Sequence, residues 1–162
     1  MQSATHDVKD IEVGQPAPDF TLENQDGTRV QLSQLRGQPV VLLFYPFDWS
    51  GTCTSEVCSI RDKQADWEST GARVFGISRD SRYSHKAWRD QLGLSYDLLA
   101  DLNGEVARQF NAWNESAHRA DRVTVVVDPE GTVRYVVHNE AGKARNQDEV
   151  LAAVRDMVQT GR

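Results

Sequence analysis

Six consecutive residues, Val40-Val41-Leu42-Leu43-Phe44-Tyr45, lie between Pro39 and Pro46, and they limit the fold more than anything else in the chain. The two prolines bound the run as a separate short segment. The run shows no alternation with polar residues, so neither face is prepared for water. It reads as a strand in the middle of a sheet, covered on both sides.

The remaining elements supply the covers. Asp19 to Leu22 and Arg29 to Leu32 are short strands around the turn residues Asp26-Gly27. Gly51 to Thr70 has the pattern of a helix, with Val57, Ile60, Gln64 and Trp67 at helical spacing. Ala72 to Ser78 is a second buried strand. A helix follows, capped by Asp80-Ser81 or by Ser84, and runs to about Leu92 before Gly93. Tyr96 to Ala100 is a strand and Asn103 to Phe110 a short helix. Val123 to Asp128 and Thr132 to His138 form a hairpin around Pro129-Glu130-Gly131. Gln147 to Val158 is a last amphipathic helix. Alternating strands and helices with a late antiparallel hairpin predict an α/β, thioredoxin-like three-layer sandwich with a mixed central sheet and an N-terminal β-hairpin extension.

The 162 residues are enough for one domain with its own core. No apolar stretch approaches the ~20 residues of a membrane span. Met1 to Asp10 lacks the basic and apolar regions of a secretory signal and reads as a flexible arm, with the domain over 11–162. The expected location is the cytoplasm. A formal net charge of −6, without a clustered basic face, argues against a nucleic-acid partner. In a reducing compartment two cysteines are rarely a structural bridge. Cys53-x4-Cys58 has neither zinc-site nor C-x2-C spacing, and His6, His85, His118 and His138 are scattered, so no metal or cofactor is expected.

The segment Tyr45-Pro46-Phe47-Asp48-Trp49-Ser50-Gly51-Thr52-Cys53 joins the central strand to the following helix. In open α/β sheets chemistry gathers beyond the carboxyl ends of the strands. Cys53 falls in the first helical turn, where unpaired amides and the helix dipole favour a thiolate. The competing reading is a buried structural thiol, because Cys53, Val57 and Ile60 share one stripe.

Pro46-x3-Ser50-x2-Cys53 resembles the P-x3-[TS]-x2-C signature of the peroxiredoxins, the AhpC/TSA superfamily. Val13-Gly14 with Ala17-Pro18-Asp19-Phe20-Thr21-Leu22, Leu35-Arg36-Gly37, Cys53-Thr54-Ser55-Glu56, Arg61-Asp62, Tyr96 to Asp101 and Arg122-x-Thr124-x3-Asp128 resemble other segments of that family. The likeness runs from about Val13 to the last helix. Within the family, Cys53-x4-Cys58 is most like the bacterioferritin-comigratory or PrxQ branch, and parts resemble the one-cysteine alkyl hydroperoxide reductase E group. Ser50 stands where Thr is commoner. Thr54 replaces the Pro of the typical two-cysteine branch, and no C-terminal cysteine exists.

The resemblance implies a thiol peroxidase acting on hydrogen peroxide and organic hydroperoxides. Cys53 would be the peroxidatic nucleophile. The Ser50 hydroxyl and the Thr52 and Cys53 amides would hold thiolate and peroxide. Pro46 would shield the site, and Arg122 would stabilise developing charge. Glu56 would orient Arg122, or merely complement the helix dipole. Trp49 would line the site or simply pack. Cys58 would resolve the Cys53 sulfenic acid as an intramolecular disulfide, reset by thioredoxin or a similar dithiol. Residues five apart on a helix lie roughly 8–9 Å apart at Cα, against about 7 Å for a disulfide, so that step requires local unwinding. A monomer or weak homodimer is expected. The alternatives are a one-cysteine cycle closed by an external thiol, a peroxide sensor, and a general thiol-disulfide oxidoreductase.

Overall fold

The computed structural model describes residues 12–50, 58, 60, 63–139 and 147–160. The proposed arm at 1–10 therefore lies outside the described residues. Seven strands form one sheet in the order β2-β1-β5-β4-β3-β8-β9. These are β1 (Thr21–Glu23), β2 (Arg29–Gln31), β3 (Val40–Phe44), β4 (Arg73–Ser78), β5 (Asp97–Ala100), β8 (Arg122–Val127) and β9 (Val133–Asn139). The helices are α1 (Gln64–Glu68), α2 (Arg82–Leu92), α3 (Glu105–Gln109) and α4 (Gln147–Thr160). β3 pairs parallel with β4 and antiparallel with β8, so the sheet is mixed as its sequence pattern predicts.

The apolar run behaves as its composition requires: every residue of β3 is buried. Because side chains alternate across a strand, the run feeds two cores. Val40, Leu42 and Phe44 pack with Phe75, Ile77, Val106, Phe110 and Val125 on one face. Val41 and Leu43 pack with Ile60, Trp67, Val126, Val150 and Val154 on the other. Tyr45 continues the second parity and meets Trp88 of α2 and Leu98 of β5.

Helix α2 starts at Ser81, whose side chain accepts from the Ser84 amide, and stops at Gly93 in the left-handed conformation. Two features depart from the sequence reading. The helix expected over Gly51 to Thr70 is not uniform: Cys58 and Ile60 are helical, Lys63 is not, and α1 begins afresh at Gln64. A two-stranded sheet, β6 (Trp113–Asn114) with β7 (Arg119–Ala120), was not foreseen. Its strands are two residues long, too short for any periodicity to show.

Candidate active site

The site is built where β3 ends. Its segment Tyr45 to Ser50 leaves the sheet beside β4 and β8, with Pro46 buried, Trp49 half exposed and Ser50 partly buried. Arg122 arrives there by register. β3 and β8 run antiparallel with Phe44 opposite Val123, so the next pair along brings Arg122 beside Tyr45. Arg122 shares the parity of Thr124 and Val126, which places it on the face covered by Ile60. It is 5% exposed, unusual for an arginine. The helical turn bearing Cys58, a half-buried free thiol, lies two residues before Ile60. The fold thus carries Pro46, Ser50 and Arg122 to the carboxyl end of β3. Cys53, Thr52 and Glu56, named from the sequence, lie outside the described residues.

The loop is held from below by a polar cluster that the sequence reading did not single out. The Tyr45 hydroxyl donates to Asp48 Oδ1 at 2.6 Å. The other carboxylate oxygen, Oδ2, meets His85 Nδ1 at 2.7 Å and accepts from Ser84 Oγ at 2.9 Å. His85 Nε2 donates to the Leu99 carbonyl at 3.0 Å, since a carbonyl can only accept. The Asp48 amide donates to Asp80 Oδ2 at 2.7 Å, and Ser78 Oγ donates to the same oxygen at 2.6 Å. The side chains of His85 and Asp48 are both wholly buried. Burial and the neighbouring Asp48 charge push the Tyr45 phenol well above its ordinary value, so it acts only as a donor. Burial also raises Asp80, against the opposing hydrogen bonds from Ser78 and the Asp48 amide.

Trp49 carries a second mark of constraint. Its φ of 73° is left-handed, a conformation that costs a residue with a Cβ roughly 1–2 kcal/mol. Such a residue persists only where its surroundings fix it. Here its indole Nε1 donates to Ser84 Oγ at 3.3 Å, and its ring stands 6.3 Å from that of Trp88. Trp88, which showed no special context in the sequence, is fully buried between Tyr45 and this loop.

The class this defines is a thioredoxin-like α/β domain with a constrained turn at the end of its central strand, a buried arginine beside it and a thiol in the following helical turn. Residues 13–136 match the model of the AhpC/TSA family, and the chain belongs to that family. Peroxiredoxin Q of wheat, a chloroplast protein, is 34% identical over 148 residues, covering 91% of this chain and 68% of its own. Peroxiredoxin 2 of Thermoplasma acidophilum is 34% identical over 149 residues, covering 88% and 74%. Among solved structures, peroxidoxin BcpB of Mycobacterium tuberculosis superposes with a TM-score of 0.84 at 32% identity, covering 91% of this chain and 98% of that one. AhpC of Enterococcus faecalis gives 0.84 at 31% identity, covering 94% and 97%. The chain is a peroxiredoxin, a thiol-dependent peroxidase.

Proposed function

We propose that the peroxidase runs as an intramolecular two-cysteine cycle. The Cys53 thiolate attacks one oxygen of a hydroperoxide, the O–O bond breaks, and the second oxygen leaves as water or alcohol after taking a proton. Cys53 becomes a sulfenic acid. Ser50 and the amides of Thr52 and Cys53 align thiolate and peroxide, and Pro46 keeps bulk water out. Arg122 supplies the cation that lowers the thiol pKa and stabilises the departing oxygen.

The thiol of Cys58 then displaces hydroxide from the sulfenic sulfur, releasing water and forming the S–S bond. A dithiol such as thioredoxin returns both cysteines to thiols and is itself oxidised to a disulfide. Residues five apart on one helix are too distant at Cα for a disulfide, so the helix predicted from Gly51 must open before the Cys58 sulfur reaches Cys53. Gly51 and the β-branched Thr52, Thr54 and Val57 are weak helix formers, which favours that opening. The working unit is a monomer or weak homodimer in the cytoplasm.

The observation that carries the reading is the burial of Arg122 at the carboxyl end of β3, on the helix-covered face. A buried arginine at the strand end from which Tyr45 to Ser50 depart supports a role for its charge in the reaction. Mass spectrometry after one equivalent of peroxide tests the cycle. A loss of two hydrogens with a Cys53–Cys58 cross-linked peptide is expected. A persistent sulfenic acid on Cys53 would move Cys58 out of the cycle in favour of an external thiol. Peroxide consumption that survives Cys53→Ser would end the reading altogether.

A further inference from the structure

The active-site loop is fixed through side chains that arrive from a different helix and a different strand. Asp48, in the loop, reaches His85 and Ser84 of α2, and His85 passes on to the Leu99 carbonyl of β5. A surface loop needs no wholly buried histidine–carboxylate pair to keep its shape. Burying such a pair is costly unless every polar atom is matched. Here each is matched: both imidazole nitrogens and both Asp48 oxygens have partners. The cluster also holds Trp49, whose φ is positive, immediately before Ser50.

We propose that Asp48 and His85 are positioning residues for the peroxidase reaction: they hold the Trp49 turn in its strained form and so place Ser50 and the chain entering Cys53 for attack on the peroxide. The inference rests on the assignment of Cys53 as nucleophile. In the proposed cycle the cluster divides the segment in two. Tyr45 to Ser50 stay anchored to α2 and β5, while the turn toward Cys58 opens and recloses on that fixed base.

The chemistry of the pair gives a test that separates placement from bulk stability. A proton must lie between Nδ1 and Oδ2, because two lone pairs would repel at 2.7 Å. Asp48 and His85 together are therefore neutral, whichever of them holds that proton. An asparagine at 48 can donate from Nδ2 both to His85 Nδ1 and to Ser84 Oγ, reversing the direction of the Ser84 bond, and still accept from Tyr45. It keeps the same shape and the same net charge, whereas an alanine keeps neither the contact to His85 nor the one to Tyr45.

The experiment is stopped-flow oxidation of the fully reduced protein by hydrogen peroxide, followed by tryptophan emission and normalised to titrated thiol, with circular dichroism confirming the fold. Asp48→Ala is expected to slow thiol oxidation by about 10- to 100-fold, the size of a catalytic misplacement near 1 Å. Asp48→Asn is expected to stay within about threefold of wild type. Ser84→Ala, milder and at a partly exposed position, keeps the test alive if Asp48→Ala does not fold; it is expected to slow oxidation by about threefold to tenfold. Its Trp49 emission is expected to shift to the red. Wild-type rates in folded Asp48→Ala, or in Ser84→Ala, would overturn the inference, as would Asp48→Asn oxidising as slowly as Asp48→Ala. Cys53→Ser, run alongside, distinguishes the failures. If it still reacts with peroxide, the nucleophile assignment is at fault; if it is inert while Asp48→Ala reacts normally, only the positioning role is lost.

Discussion

Gly76 lies in the middle of β4, between β3 and β5, and a methyl group there would press on the floor of the active-site loop. A Cβ at this position would stand 2.8 Å from Leu98 Cδ2 and 3.1 Å from Tyr45 Cε1. Both neighbours are buried, and Tyr45 is further restrained by Trp88, at a ring separation of 5.7 Å, and by its bond to Asp48. Leu98 would have to retreat by more than half an ångström to reach ordinary contact. Overpacking of this kind costs about 1–3 kcal/mol. Replacing glycine inside a strand returns roughly 0.5–1 kcal/mol of chain entropy. Gly76→Ala should therefore lose about 1–2 kcal/mol, or about 2–8 °C in Tm for a domain of this size. Thermal and urea melts of the reduced protein measure it. Adding Leu98→Val, which withdraws a carbon from the clash, should cost less in the Gly76→Ala background than alone. A Gly76→Ala protein as stable as wild type, or strict additivity of the two changes, would refute the packing argument.

Arg122→Met should lower the rate of thiol oxidation by about 10²–10³-fold, the usual cost of a lost charge-stabilising donor, and Arg122→Lys by less, since it keeps the charge but not the fork; peroxide stopped-flow reads both. Asp101, buried, accepts from the amides of Val106 and Ala107 and so caps α3 from a distance; Asp101→Ala should destabilise by about 1–2 kcal/mol in urea melts. Burial raises the Asp80 carboxyl above its ordinary 3.8, so its contribution to stability is full below that value and is lost as pH rises through the folded value. The stability of wild type relative to Asp80→Asn should accordingly be greatest in acid and fall with rising pH, and the opposite slope would contradict the assignment. Cys58→Ser should leave the first oxidation by peroxide intact and abolish turnover with thioredoxin.

Local pattern was enough for the main strands and helices and their order, though not for the short β6 and β7 or the break before Gln64. The apolar run at 40–45 read as a central strand and is one, Ser81 and Gly93 bracketed α2, and Pro129-Glu130-Gly131 marked the last hairpin. The resemblance around Pro46, Ser50 and Cys53 led to the family, because those residues are close in sequence. Arg122 was nameable only through that resemblance. Nothing in its neighbourhood indicates burial, which follows from the antiparallel pairing of β8 with β3.

Periodicity cannot report contacts between distant segments, and there the tertiary structure decided. Asp48 and His85 are 37 positions apart, and each read alone is an unremarkable polar residue. Trp113 also gave no sign of its place, yet a Cβ on Gly104 would come within 2.6 Å of its ring. Sequence patterns record which side of an element avoids water, a property of one segment at a time. The pairing of buried polar groups depends on which segments the sheet order brings together, and only the folded chain contains that information.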